Sequence, residues 1–198
     1  MCGLIKQRSK DDPFVSELRF EAPLASDAKP AEVLLVFRRH PETGLPTQSY
    51  LRWGLVPHSM KARPEIQPHN ARVETITEKR MFRDAYRSRR CVVPMDAFYE
   101  RDQKRKLHLF ALKHQPVFGV AGIWENWRNP LTDEWERTFA IITVDANELV
   151  ARVHDRMPAI LRNDEHPRWL GTEADPRDLL RPYPADLMTV QPVSRRRS

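Results

Sequence analysis

"VFGVAGIW" (117–124) and "RTFAIITV" (137–144) are the runs on which the fold of this chain turns. Both are apolar and rich in β-branched or aromatic residues, the composition of strands packed in a sheet. Working outward, "RCVVPM" (90–95) and "LHLFAL" (107–112) have the same character. So do "AEVLLVF" (31–37), "QSYLRW" (48–53), "MPAIL" (157–161) and "LMTVQPV" (187–193). Helical patterns are fewer. "ETITEKRMFRDAYRS" (74–88) places Ile76, Phe82, Ala85 and Tyr86 on one side of a helix. "DANELVARVH" (145–154) reads as a short helix with Asp145 as its N-cap, and "DPRDLLR" (175–181) as a helical turn or two. Strands outnumber helices and do not alternate with them. The pattern therefore predicts an α+β fold. The expected core is a curved, mostly antiparallel, barrel-like sheet flanked by short helices. No linker divides the chain, so residues 1–198 read as one domain. Seventeen prolines against six glycines suggest rigid turns and irregular loops.

Composition narrows the function. Apolar residues make up 40% of the chain and mean hydropathy is −0.63, values of a soluble globular protein. No run approaches the roughly 18 apolar residues of a membrane span. The N-terminus lacks a basic region followed by an apolar one, so no secretory signal and no membrane partner are expected. Cys2 and Cys91 are too few for a disulfide framework or a four-cysteine zinc site, which points to a reducing, cytoplasmic setting. The histidines show no metal-binding spacing, and GxGxxG, GxxxxGK[ST] and GxSxG are absent. Neither a metal nor a cofactor is expected. Net charge is +6 and the pI is about 9.6, a balance that favours polyanions. Lys79, Arg80, Arg83, Arg87, Arg89 and Arg90 crowd one stretch, and Arg195, Arg196 and Arg197 lie near the end.

Four segments carry candidate chemistry. Removal of Met1 would leave Cys2 with a thiol and an α-amine on adjacent carbons. The amine, with a pKa of about 7.7–8.0, is partly neutral near pH 7. An aldehyde could be captured by the nitrogen and closed by the sulfur into a thiazolidine; toward a peptide the thiol is an ordinary nucleophile. The competing reading is a cysteine in a frayed end. "PHNARVET" (68–75) supplies Asn70, an orienting amide or a helix cap, and Arg72, a phosphate fork or a surface cation. "CVVPMDAFYE" (91–100) ends on Glu100 after an apolar run, where desolvation raises a carboxyl pKa; a plain strand-end glutamate is the alternative. Cys91 reads as core. "VHDRMP" (153–158) offers His154, a proton shuttle or a histidine at a helix C-terminus.

Together these segments resemble the SRAP family, the SOS-response-associated peptidase-like proteins. The likeness rests on "MCG" at the start, "RWGLVP" (52–57), "NARVET" (70–75), "RMF" (80–82) and "CVVPMDAFYE" (91–100). It continues through "GVAGIW" (119–124), "FAIITVDAN" (139–147), "VHDRMPAIL" (153–161) and "QPVS" (191–194), in the family's order over nearly the whole chain.

The resemblance implies a protein that binds single-stranded DNA and links covalently to the aldehyde of an abasic site through an N-terminal cysteine. Carried onto this chain, Cys2 would be the nucleophile and Asn70 would hold its amine and the sugar. Glu100 would shuttle protons, and His154 would be a second acid/base group. Thr143 would hydrogen-bond near the linkage, and Arg72 and Arg80 would contact phosphates. The family name also implies a peptidase activity, chiefly self-cleavage that exposes Cys2. Trp53 has two readings, a platform for DNA bases or a core residue of the "RWG" strand. Leu4 stands where the family usually has arginine, "HSMKAR" (58–63) replaces a tryptophan-bearing segment, and Arg101 follows "FYE" where tryptophan is usual. Two other function classes stay open: a thiol peptidase acting through Cys2, and a non-catalytic single-stranded nucleic-acid-binding module. A monomer, nucleoid-associated in a bacterial host, is the default expectation.

Overall fold

A computed structural model of the protein describes residues 3–7, 26–172 and 175–193. Its strands are β1 (Ile5–Gln7), β2 (Ser26–Ala28), β3 (Val33–Arg39), β4 (Pro46–Trp53), β5 (Asn70–Arg72) and β6 (Arg90–Met95). They continue as β7 (Ala97–Arg101), β8 (Leu107–Leu112), β9 (Phe118–Arg128), β10 (Trp135–Asp145), β11 (Arg156–Pro158), β12 (Ile160–Leu161) and β13 (Met188–Val193). Two short helices, α1 (Arg80–Ser88) and α2 (His166–Leu170), accompany them.

β10 organises the sheet. It runs antiparallel to β9, β9 to β6, β6 to β3 and β3 to β4. β4 then returns to β10 in parallel, through Thr138↔Arg52 and Phe139↔Trp53. Five strands thus close into a barrel, which leaves no free edge among them. The far end of β10 carries two more strands: Thr143 lies opposite Arg72 of β5 and Pro158 of β11. A second, antiparallel sheet runs in the order β13-β8-β7-β1-β2. The two sheets share one apolar core that includes Trp53, Phe139, Ile123, Phe98 and Phe110. Each fully buried side chain of this size contributes about 1.5–3 kcal/mol. Arg90 is buried over the Trp169 ring and donates to the carbonyls of Trp169, Tyr86, Arg87 and Gly171. It therefore ties both helices to β6.

The α+β, barrel-like expectation holds, and β6 and β8 span the quoted runs. Helical extent was overestimated. Residues 73–75 form a 3-10 turn and the α-helix begins only at Arg80. Val73, Thr75, Ile76 and Thr77 are β-branched and weak helix formers. Asp145 is no N-cap: it ends β10 and pairs with Arg156. Asn147 does the capping, its side-chain oxygen accepting from the backbone N–H of Leu149 and Val150. Only a 3-10 turn, Val150–Arg152, follows. Residues 175–181 likewise hold just a 3-10 turn, Arg177–Leu179. "MPAIL" splits at Ala159, where the chain leaves β10 for β9. β1, β2, β5 and β7 escape a periodicity reading because three of them are three residues long and β7 is largely apolar throughout. Among the described residues no helix is long and apolar enough to cross a membrane.

Candidate active site

Glu100 lies near the end of β7, after Ala97, Phe98 and Tyr99 have carried the strand through the core. It is itself only 4% exposed. Burial disfavours the charged carboxylate and pushes its pKa up to about 7. Across from it stands His154, whose Nε2 is 4.0 Å from the Glu100 Oε2. The dipole reading of His154 fails, because a single 3-10 turn and not an α-helix leads into it. What places the ring is the turn at Val150–Arg152, closed by the His154 N–H on the Val150 carbonyl. Its Nδ1 is 3.0 Å from both the Arg156 N–H and the Asp155 carboxylate. The backbone bond is the stronger determinant, since the Asp155 side chain is 80% exposed and screened by water. Accepting from Arg156 at Nδ1 leaves the ring proton on Nε2, toward Glu100. Burial lowers the His154 pKa, so the ring is neutral near pH 7.

The start of the chain runs beside this pair. Ile5 pairs with Phe98, and the Tyr99 N–H donates to the Leu4 carbonyl at 3.0 Å. Continuing that antiparallel register sets Gly3 abreast of Glu100. Gly3, Leu4, Glu100 and His154 all line one cleft of about 440 Å³, with Lys29, Tyr99, Arg101 and Leu107 around them. Cys2 lies outside the described residues, but it is bonded to Gly3. The Leu4 carbonyl has a structural task in this register, while its side chain adds no charge to the cleft.

The remaining candidates lie on β5, β10 and α1. Asn70 is in β5, paired with Ile141, so it is not a helix cap. Thr143 is 1% exposed, and its hydroxyl has no hydrogen-bond partner among the described residues. Arg72, opposite Thr143, and Arg80, the first residue of α1, are exposed.

Of the two readings of Trp53, the platform gives way to the core. Trp53 is fully buried, stacked on Phe139 with centroids 6.3 Å apart, and donates from Nε1 to the His69 carbonyl at 2.8 Å. It offers no face to a base; it positions the backbone that leads into Asn70. The arginine-rich stretch is only partly surface. Arg90 is buried, and Arg89 pairs at 2.9 Å with the buried Glu125. Arg195–Arg197 lie outside the described residues. Cys91 is core, and burial raises its thiol pKa far above the usual range.

Sequence reading missed the strap that joins the segments. Arg156, 6% exposed, donates to both oxygens of Glu74 at 2.7 and 3.0 Å. It also donates to Asp145 at 2.5 Å and to the Thr143 carbonyl at 2.7 Å. For Glu74, burial raises the pKa but the Arg156 bonds and charge outweigh it and hold the carboxylate ionised. One guanidinium thus connects "NARVET", "IITVD" and "VHDRMP". The sequence signal was an arginine and glutamate each inside a chemistry-bearing motif. Among the described residues no group of three His, Cys, Asp or Glu side chains could hold a metal ion.

The profile of the SOS response associated peptidase (SRAP) family matches residues 1–197. The chain belongs to the SRAP family. Among curated SRAP relatives, abasic site processing protein YoqW of Bacillus subtilis is 40% identical over 153 residues, covering 73% of this chain and 68% of YoqW. Abasic site processing protein HMCES of Xenopus tropicalis is 31% identical over 172 residues, which is 73% of this chain and 51% of HMCES. The match thus spans about half the length of HMCES. A crystal structure of a protein from Bordetella bronchiseptica superposes with a TM-score of 0.83 at 28% identity, covering 98% of this SRAP chain and 100% of the other. A protein from Bacteroides thetaiotaomicron gives 0.80 at 26% identity, over 95% and 85%.

Proposed function

We propose that this protein binds single-stranded DNA and forms a covalent thiazolidine between Cys2, freed of Met1, and an abasic site. The observation that carries the proposal is the Glu100–His154 pair in a cleft whose wall includes Gly3, the residue bonded to Cys2. The names of the curated relatives supply the substrate class.

The ring-opened sugar presents an aldehyde. The Cys2 amine adds to its carbon, and loss of the hydroxyl as water leaves an imine. The sulfur then adds to the imine carbon, and the thiol proton ends on nitrogen. One water is released per crosslink, and no oxidant or reductant is needed. Glu100, titrating at about 7, exists in both protonation states under physiological conditions. It protonates the leaving hydroxyl and accepts the thiol proton. Neutral His154 donates from Nε2 and relays protons beside it. Asn70 orients the amine, Thr143 offers its buried hydroxyl to the linkage, and Arg72 and Arg80 hold phosphates.

The test is a denaturing gel of protein incubated with single-stranded DNA carrying one abasic site. Wild type gives a shifted band and Cys2→Ala gives none; an equal band from Cys2→Ala overturns the proposal. Peptide turnover that needs Cys2 but no DNA would instead identify a thiol peptidase. Salt-sensitive binding without any covalent product would identify a binding module.

A further inference from the structure

The catalytic cleft does not end at His154. The same imidazole lines a second, contiguous cleft of about 810 Å³, bounded by the β7–β8 hairpin and the 145–155 segment. Along these two clefts stand Lys29, Arg101, Lys104, Lys106 and Arg152. None of the five has an ion-pair partner among the described residues. The acids of the second cleft are differently placed. Asp102 accepts from the Lys106 N–H and lies 3.2 Å from His108 Nε2. Asp145 accepts from Arg156, and Asp155 lies beside His154. Asp155, 80% exposed beside a neutral ring, keeps its charge, and the five cations outnumber it.

The hairpin that carries them is built to hold its shape. The Asp102 N–H donates to the Lys106 carbonyl, and the Arg105 N–H to the Asp102 carbonyl. Arg105 takes a positive φ of 61°, which turns the chain so that its carbonyl accepts from the Arg101 guanidinium at 3.0 Å. The hairpin also has a defined side. At Thr143, β5 and β11 flank β10 from opposite directions. Arg72 is on the β5 side, while His154, Glu100 and the hairpin are on the β11 side. Arg72 and the hairpin cations thus stand on opposite sides of β10.

We infer that the β7–β8 hairpin and Arg152 form a second phosphate track, which holds the DNA strand where it leaves the lesion away from Arg72. The inference rests on the proposed function for the identity of the strand, but its ligand is the sugar–phosphate backbone and needs no lesion. Lys104, Lys106 and Arg152 bind phosphates, and Arg101, fixed by the Arg105 carbonyl, sits where track and catalytic cleft meet. An abasic site with DNA on both sides would engage both tracks. A lesion at a strand end would engage one.

The experiment uses the full chain and a triple variant, Lys104→Glu/Lys106→Glu/Arg152→Glu, at exposed positions, with fold checked by circular dichroism. Fluorescence anisotropy with a lesion-free 15-nucleotide strand reads the track without crosslinking. The expected result is at least tenfold weaker binding. The salt slope should fall by about 2, since each single-strand phosphate contact contributes about 0.7. Crosslinking to oligonucleotides cut back to one nucleotide on either side of an abasic site then locates the track. One truncation should slow wild type several-fold and leave the variant no slower than on the intact strand. Wild-type affinity and salt slope in the triple variant overturn the inference. So does equal weakening against both truncations, which marks a diffuse field. If the variant misfolds, Lys104→Gln/Lys106→Gln/Arg152→Gln gives the same readings with smaller changes. Absence of any crosslink by wild type, with the binding loss intact, overturns the proposed function and leaves the track standing.

Discussion

Glu100 is held at a cost to stability. In the unfolded chain its carboxyl ionises near 4.5, and in the folded protein only near 7. Below pH 4.5 both states are protonated and the penalty is absent. Between 4.5 and 7 the unfolded chain releases its proton first, so stability falls as pH rises and stays lower above 7. Glu100→Gln keeps the shape without the charge. Thermal melts should show the variant more stable than wild type by about 2–3 kcal/mol at pH 8 and equal to it at pH 4. The same variant should lower the crosslinking rate at least tenfold and erase a break near pH 7 in single-turnover profiles. A variant that is neutral in melts at pH 8 would refute the buried-charge account. Sequence position suggested a desolvated carboxylate; the 4.0 Å approach of His154 came from packing between two sheets.

Arg156 and Asn147 act at the scale of elements. Arg156 straps the 3-10 turn at 73–75 to the ends of β10 and β11. Glu74 and Asp145 are 46% and 82% exposed, so water can resolvate them when the strap is cut. Arg156→Met should therefore destabilise by only about 1–3 kcal/mol in urea titration. Crosslinking should fall more than stability accounts for, because Asn70 and His154 lose their common brace. Equal losses of folded fraction and rate would reduce Arg156 to a stability residue. Asn147 is 7% exposed, caps the turn that aims His154 and donates to the Tyr183 carbonyl at 2.7 Å. Asn147→Ala should lower stability by about 1–2 kcal/mol, measured by thermal melting. The apolar runs of β6, β8, β9 and β10 were legible because burial demands that composition. The turn at 150–152 was not, since its sequence carries helix propensity that the Asn147 cap and the Asp145–Arg156 pairing override.

The whole molecule depends on closure of the five-stranded barrel and on the packing of α2 against it. Gly119 in β9 marks one such approach: a Cβ there would come within 2.4 Å of His166 Nε2 and 2.6 Å of Val92 Cγ1. His166 is 6% exposed, and burial lowers its pKa to about 4. The ring is thus neutral and locked at physiological pH. Gly119→Ala should destabilise by about 1–3 kcal/mol through overpacking, read as a lower urea midpoint with an unchanged slope. An unchanged midpoint would mean that α2 shifts freely on the barrel.

By itself the sequence determined the fold class, the buried strands, the cationic balance and the family's chain of motifs, from Cys2 through Asn70 and Glu100 to His154. These follow from local composition and from residue types whose chemistry is intrinsic. Only the tertiary structure decided that Gly3 runs abreast of Glu100, that Trp53 is spent in the core and that Arg156 binds three motifs together. It alone set a row of cations beside the cleft of Glu100 and His154. Each of these joins residues far apart in the chain. Strand register and barrel closure set those distances, and no local pattern of residues encodes them.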